Sequence, residues 1–132
     1  MVDFGAHIRV LIADEPAFAS ALRVLLESQP GIEVVAIAPD GSAAVELAAE
    51  LMPDVIVMDA RLPVLDGFAA ARVIRDAEVA AAIVLLTDVD ELEVRDMDVV
   101  GANAFVARSE AAVALPAVLR EIALLSPAAA PR

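Results

Sequence analysis

Carboxylates follow two short apolar runs of the sequence. Asp59 comes directly after residues 55–58, and the pair Asp14 and Glu15 follows Ile8–Ala13. Carboxylate oxygens are preferred ligands of hard cations such as Mg²⁺. An aspartate beside such an ion can also attack phosphorus and become an aspartyl phosphate. These residue types therefore point to a candidate site for metal-assisted phosphoryl transfer.

A hydroxyl and a cation end two further apolar runs. Thr87 follows residues 81–86, and Arg108 follows residues 103–107. Such groups can hold the oxygens of a phosphoryl group. Taken singly, the acids and Thr87 could be helix caps, and Arg108 could be a solvated surface residue. The functional interpretation gains weight because these side chains end different predicted strands at one edge.

The elements that must position these side chains alternate regularly along the chain. Five apolar runs, each too short for an ordinary helix, predict buried parallel strands at 8–13, 32–38, 55–58, 81–86 and 103–107. Helices are predicted after each strand, opening at Pro16, at Asp40-Gly41-Ser42 and at Asp66-Gly67, then over 88–100 and finally to about residue 125. This repeat predicts an α/β fold, a flavodoxin-like, doubly wound, five-stranded parallel sheet of order 2-1-3-4-5 with five helices.

Pro116 falls inside the last helical pattern. A proline in a helix interior removes a hydrogen bond and costs about 3 kcal/mol, so we expect Pro116 in the first turn. Residues 109–113 would then be irregular. Residues 126–132 are rich in proline and alanine, so we expect one domain over 1–125 followed by a tail or truncated linker.

The composition excludes several functions. The chain has 132 residues, a formal charge of −12 and no cysteine, which disfavours direct nucleic acid binding and excludes disulfides and thiolate metal sites. The longest apolar stretch, 79–86, is shorter than the roughly 18 residues of a membrane span. With no leader-like N-terminus, we expect a cytoplasmic protein with no membrane contact. His7 precedes the first strand and is expected on the surface.

With these motifs in view, residues 8–125 resemble a response-regulator receiver domain of two-component signalling. The resemblance is strongest to the subfamily whose output is a helix-turn-helix DNA-binding domain. Residues 55–67 resemble the phosphoacceptor strand and loop of that family, 85–87 its switch hydroxyl, and 101–105 its fifth strand with the switch aromatic.

The resemblance implies a role for each matching residue. Asp59 would accept a phosphoryl group from a histidine kinase, and Asp14 and the backbone carbonyl of Arg61 would help to hold Mg²⁺. Thr87 would bind a phosphoryl oxygen and draw its loop inward, which would let Phe105 turn. The domain would be a switch more than an enzyme, with weak autophosphatase activity at most.

Two departures from the family pattern bear on the site. The family has an acid pair after the first strand, and this pair is either Asp14 with Glu15 as a second metal ligand, or Ala13 and Asp14 with the first acid replaced. The family lysine after the fifth strand is here Arg108. Arginine keeps the charge but is planar and bulkier, and it can bond a carboxylate through two parallel hydrogen bonds.

Three hypotheses follow. The first is a phosphorylation-responsive receiver that controls a transcriptional output domain in cis or on a partner chain. The second is an atypical receiver in which Arg108 clamps Asp59 and the fold serves dimerisation or ligand binding; a homodimer is left open in either case. The third, a small flavodoxin-like enzyme or flavin carrier, ranks behind because the chain lacks a glycine-rich phosphate loop, tryptophan and tyrosine.

Overall fold

A computed structural model describes residues 7–87 and 101–125 of the chain. The strands are β1 (Ile8–Ala13), β2 (Ile32–Ala38), β3 (Val55–Asp59), β4 (Ala82–Thr87) and β5 (Ala104–Ala107). They form one sheet of order β2-β1-β3-β4-β5 in which all four neighbouring pairs are parallel. The predicted fold class and strand order are confirmed.

Helices cover both faces of this sheet. They are α1 (Pro16–Glu27), α2 (Gly41–Leu51), α3 (Gly67–Asp76) and α4 (Ala111–Leu125), the last preceded by a 3-10 turn, Arg108–Glu110. The core has two parts, one between the sheet and α1 with α4, the other between the sheet and α2 with α3. The helix predicted at 88–100 and the tail predicted at 126–132 lie outside the described residues.

The middle strand shows why the sequence contains unbroken apolar runs. Val55 and Val57 pack into the part of the core beside α1 and α4, whereas Ile56 and Met58 pack into the other part. All four are fully buried. Because successive side chains point to opposite faces and both faces are covered, no polar residue is tolerated until the strand ends at Asp59.

The predicted turns position the helices. Asp40 precedes α2 and accepts a 2.7 Å hydrogen bond from the Ala43 amide, and Asp66 precedes α3 and accepts one of 2.8 Å from the Ala69 amide. Pro16 is the first residue of α1, where its missing N–H removes no helical bond. Asp40 and Asp66 are therefore the N-caps of α2 and α3.

The prediction for Pro116 is wrong. Residues 109 and 110 lie in the 3-10 turn, α4 begins at Ala111, and Pro116 is its sixth residue. The helix buries Ala111, Leu115 and Leu119, four residues apart on one face. Leu119 follows the proline and would be helical with either start, so the early start adds Ala111 and Leu115 to the buried face. Burying one leucine is worth about 1.5–3 kcal/mol, which is comparable to the roughly 3 kcal/mol cost of the proline.

Arg75, near the end of α3, connects three chain segments at the amino edge of the sheet. Its Nε donates to the Gly101 carbonyl at 2.9 Å, its Nη1 to the carbonyls of Val79 at 3.2 Å and Ala81 at 2.6 Å, and its Nη2 to Asn103 Oδ1 at 2.6 Å. All four acceptors are neutral. Burial lowers the pKa of the Arg75 guanidinium below its ordinary value. Arg75 thereby holds in place the residues that directly precede β5.

Within the described ranges, 7–87 and 101–125, no helix combines the length and the hydropathy needed to cross a bilayer. His7 lies on the surface as predicted, with Nε2 2.8 Å from Oε1 of Glu33.

Candidate functional site

The two carboxylates singled out in the sequence lie at the carboxyl edge of neighbouring strands. Asp14 is the first residue after β1 and Asp59 is the last residue of β3, and the register aligns Ala13 with Met58. Asp14 is fully buried, and the Asp59 side chain is 17% exposed. The crossing point of a doubly wound sheet is where such folds bind ligands.

Asp14 uses one oxygen for protein contacts. Its Oδ1 accepts hydrogen bonds from the Glu15 amide at 2.7 Å and from Arg108 Nη2 at 2.9 Å. Its Oδ2 is buried and has no hydrogen-bond partner in the part of the chain that the structure describes. A buried carboxylate oxygen without a partner is costly, and it is a candidate position for a cation.

Arg108 reaches all three acids at this edge. Besides its bond to Asp14, Nη2 is 3.7 Å from Glu15 Oε1, and Nε is 3.6 Å from Asp59 Oδ2. The guanidinium carbon lies 3.8 Å from the centre of the Phe18 ring. Nε is buried and makes no hydrogen bond to any described residue.

The expected clamp of Arg108 on Asp59 is therefore wrong in its geometry. We expected two parallel hydrogen bonds to Asp59, but the hydrogen bond goes to Asp14, and Asp59 is approached by Nε alone. The guanidinium lies over the ring of Phe18. Arg108 thus offsets part of the negative charge of the cluster without covering both oxygens of Asp59.

Asp59 has a raised pKa. Burial raises the pKa of its carboxyl group and Asp14 raises it further, whereas the Arg61 amide and the guanidinium of Arg108 act in the opposite direction. The Arg61 amide donates to Asp59 Oδ1 at 3.0 Å. Desolvation is the largest cause, so the ionised form is held in an unfavourable setting, as is common for functional carboxylates.

Of the residues that could form the family's acid pair, Ala13, Asp14 and Glu15, only Asp14 is a buried acid. Ala13 is buried in the core, and the Glu15 side chain is 66% exposed at the start of α1. No group of three acidic or imidazole side chains is close enough to hold a metal in residues 7–87 and 101–125. Asp14 is thus the buried acid beside Asp59, and the role of Glu15 as a metal ligand stays a prediction.

The predicted switch residues lie on neighbouring strands. Thr87 is buried at the carboxyl end of β4 and aligns with Ala107, while Phe105 aligns with Leu85, two residues before Thr87. Because side chains alternate along a strand, Thr87 and Phe105 belong to the same face of the sheet. The ring of Phe105 lies 6.4 Å from that of Phe68 on α3.

The loop after Asp59 is held in place from two sides. The Gly67 amide donates to the Ala60 carbonyl at 2.8 Å, and the Gly41 amide of α2 donates to the Pro63 carbonyl at 3.3 Å. A Cβ on Gly41 would overlap the backbone oxygen of Leu65. The loop that carries Arg61 therefore depends on a glycine in another helix.

These residues fit Mg²⁺. This ion takes one or two carboxylates, keeps several waters and completes its shell with phosphate oxygens, so three clustered acids are not needed. Asp14 offers a buried oxygen without a partner, and Asp59 lies at the same edge. Oxygen ligands alone select a hard ion.

Phe18 is the site residue that the sequence analysis missed. Phe18 is partly buried and also packs against the part of the core beside α1 and α4. The available signal was its position, four residues after Asp14 in the first turn of α1. That position places an aromatic ring beside the acidic edge.

Comparison with known proteins agrees with this geometry. The sequence profile of the response regulator receiver domain matches residues 10–120. A protein-glutamate methylesterase/protein-glutamine glutaminase 2 of Carboxydothermus hydrogenoformans is 40% identical over 121 residues, which cover 89% of this chain and 34% of that protein. The chain thus spans about a third of the length of this relative.

Two solved structures are similar over most of their length. The receiver domain of the sensor histidine kinase PA1611 from Pseudomonas aeruginosa PAO1, with a magnesium ion coordinated in the active site cleft, has a TM-score of 0.75 and 31% identity, covering 88% of this chain and 97% of that one. A LuxR-family two-component response regulator from Aurantimonas sp. SI85-9A1 has a TM-score of 0.73 and 31% identity, covering 86% of each chain. The chain belongs to the response regulator receiver domain family.

Proposed function

We propose that this domain is a phosphorylation-responsive receiver in which Asp59 accepts a phosphoryl group from a histidine kinase or phosphotransfer protein. The observation that carries the proposal is the pairing of Asp59 with the buried, incompletely bonded Asp14 at the carboxyl edge. An oxygen of Asp59 attacks phosphorus, the bond from phosphorus to the donor nitrogen breaks, and its electron pair leaves with the donor. The domain would work in the cytoplasm.

Mg²⁺, held by Asp14, Asp59 and the backbone carbonyl of Arg61, would offset the negative charge that develops on the transferred group. Glu15 would act from the rim, through water, because its side chain is largely exposed. The hydrogen bond from the Arg61 amide to Asp59 Oδ1 orients the acceptor carboxylate.

The response would pass through Thr87 and Phe105. A phosphoryl group adds charge and strong acceptor oxygens, which a buried hydroxyl at the end of β4 could bond. Thr87 would move toward the phosphoryl group, and the Phe105 ring, which shares that face of the sheet, would then have room to turn.

The output of this switch is proposed with two alternatives. A transcriptional output domain, in cis or on a partner chain, is the expectation from the sequence, and the likeness to a LuxR-family regulator supports it. A methylesterase output is supported by the name of the relative from Carboxydothermus hydrogenoformans. The sequence of any output domain that accompanies this receiver would separate them, since a helix-turn-helix and a hydrolase domain differ in length and pattern.

The second candidate function is an atypical receiver that is phosphorylated poorly. The specific observation in its favour is the 2.9 Å hydrogen bond from Arg108 to Asp14, which places a fixed positive charge where a metal would bind. The repulsion among the acids would then be partly offset without a metal, which would make the apo protein the resting form. Dimerisation or ligand binding would be its function.

Phosphorylation by a small phosphodonor with Mg²⁺, followed by intact-protein mass, tests both candidates. The wild type should gain one phosphoryl group, and Asp59→Asn should gain none. Asp66→Asn is the matched control on the same loop: it removes a carboxylate but keeps an oxygen that can cap α3, so it should behave as the wild type. Arg108→Lys should react roughly ten- to a hundredfold faster, because one charge-assisted hydrogen bond is worth about 1.5–3 kcal/mol.

The outcomes separate the two candidates. Equal labelling of Asp59→Asn and the wild type would show that Asp59 is not the acceptor. Labelling of Arg108→Lys without labelling of the wild type would favour the atypical receiver. Equal and rapid labelling of both would remove Arg108 as an inhibitory residue.

A further inference from the structure

Arg108 is held from two directions that have different physical origins. The edge of its guanidinium donates to Asp14 at 2.9 Å, and its face lies 3.8 Å from the ring centre of Phe18. The side chain is 33% exposed. An arginine that is one-third exposed has other rotamers available, so the ring contributes to keeping the guanidinium at the acidic edge.

Phe18 is well placed to do this because its own position is fixed. It lies in the first turn of α1, which Pro16 begins, and it packs against the core between the sheet and α4. Its ring also lines a groove between α1 and α4 with a volume of about 580 Å³, and Arg108 forms part of the same wall. The groove is the space available to the guanidinium when it leaves the acids.

Arg108 and a divalent cation compete for the same carboxylates, so each weakens the interaction of the other with them. Oδ1 of Asp14 is already occupied by two donors, which leaves Oδ2 for a metal. A dication bound there would lie close to the positive guanidinium, and the two charges repel. Metal binding therefore requires Arg108 to move away from Asp14 or to accept that repulsion.

We propose that Phe18 is a positioning residue that holds Arg108 against Asp14 and thereby weakens the binding of Mg²⁺ at the acidic edge. The inference rests on the metal site of the proposed function. It adds a residue that touches neither metal nor phosphoryl group and acts only through Arg108. Removing the ring releases the guanidinium and makes the carboxylates more available.

The expected size follows from the strength of the stacking contact. A partly exposed cation–π contact contributes about 0.5–1 kcal/mol, and 1.4 kcal/mol corresponds to a factor of ten in affinity. Phe18→Leu should therefore tighten Mg²⁺ binding about two- to fivefold. Leucine is the suitable replacement because it keeps most of the apolar volume that packs on the core.

Isothermal titration of the whole chain with MgCl₂ measures this effect. Wild type, Phe18→Leu, Arg108→Met and the double variant form a double-mutant cycle. Arg108→Met should bind the metal more tightly than the wild type, and adding Phe18→Leu to it should change the affinity by less than twofold. Leu25→Ala, which alters the same groove seven residues further along α1, should leave Mg²⁺ affinity unchanged.

A second readout follows Arg108 without metal. Its Nε–H is buried and unbonded to any described residue in the wild type, so in a ¹⁵N spectrum of the apo protein its exchange with water should be faster in Phe18→Leu. A purely structural role of Phe18 would lower the melting temperature without this local change.

Each outcome decides between the possibilities. Wild-type affinity in a folded Phe18→Leu would overturn the inference, as would an equal gain from Phe18→Leu in the Arg108→Met background. Absence of Mg²⁺ binding in all variants, Arg108→Met included, would instead remove the metal site of the proposed function and this inference with it. A two- to fivefold gain that requires Arg108 would establish Phe18 as its positioning residue.

Discussion

Arg75 provides the sharpest test of how the fold holds the fifth strand. Replacing it by methionine keeps an unbranched apolar stem but removes a guanidinium that donates four hydrogen bonds, at 2.6 to 3.2 Å, to neutral oxygens. Asn103 Oδ1 still accepts from the Ile83 amide at 2.8 Å in the variant. The carbonyls of Val79, Ala81 and Gly101 lose the donor.

The expected loss follows from these three carbonyls. Leaving a buried acceptor unbonded costs about 1–3 kcal/mol, and access of water to part of this edge places the cost near the lower end. Relief of the desolvated charge, visible as the lowered pKa of Arg75, reduces it further. We expect Arg75→Met to lower the free energy of unfolding by about 2–4 kcal/mol.

Urea unfolding measures this directly. With a slope of about 1–3 kcal/mol per molar urea for a small domain, the midpoint should fall by roughly 1–2 M. Arg23→Met is the matched control, since Arg23 makes an exposed pair with Glu27 at 3.3 Å in α1. Such a pair contributes at most about 0.5 kcal/mol.

A loss in Arg75→Met no larger than that of Arg23→Met would refute the reasoning. Arg75→Lys should fall between the wild type and Arg75→Met, because an ammonium keeps the charge but lacks the planar fork that reaches separate acceptors. An Arg75→Lys variant as stable as the wild type would show that charge, not geometry, is what the three segments need.

Two further predictions concern the acidic edge and its loop. Burial raises the pKa of Asp59, so the folded state binds its proton more tightly than the unfolded state, and stability is lost as the pH rises from the ordinary pKa to the folded pKa. Asp59→Asn should thus be more stable than the wild type at pH 7, by an amount on the order of 1 kcal/mol. This difference in stability should shrink toward pH 4. Thermal melts at both pH values test the prediction, and a difference that does not change with pH would contradict it. Gly41→Ala should destabilise the fold by about 1–3 kcal/mol and slow phosphorylation, because the new Cβ must displace the backbone at Leu65, whereas the exposed Ser42→Ala should be neutral in the same assays.

The sheet could be predicted from sequence because its signal is local. The central strands β3 and β4 are buried on both faces, so an apolar run marks each of them. The predicted strand 81–86 is shifted by one residue from the observed Ala82–Thr87, and the predicted strand 103–107 begins one residue before the observed Ala104–Ala107. Asp40 and Asp66 were identifiable as turn and cap residues for the same reason. A cap contacts an amide only three residues away.

Features that depend on distant parts of the chain could not be predicted in the same way. The early start of α4 buries Ala111 and Leu115 in the core, and this burial opposes the local effect of Pro116. Arg108 donates to Asp14 and lies against the ring of Phe18, and both partners are at least ninety residues earlier in the sequence. The role of Arg75 could likewise not be predicted from a sequence pattern, because three of its four acceptors are backbone carbonyls.

The groove between α1 and α4 shares Arg108 with the acidic edge, and this shared residue links two separate surfaces thermodynamically. Whatever occupies the groove and stabilises the guanidinium in its present position disfavours cations at Asp14. A cation that binds at Asp14 and displaces the guanidinium would weaken the binding of that groove ligand by the same factor, because linkage between two binding equilibria is reciprocal. In a receiver with this arrangement, binding at the acidic edge would affect binding in the groove between α1 and α4, and binding in the groove would affect binding at the acidic edge.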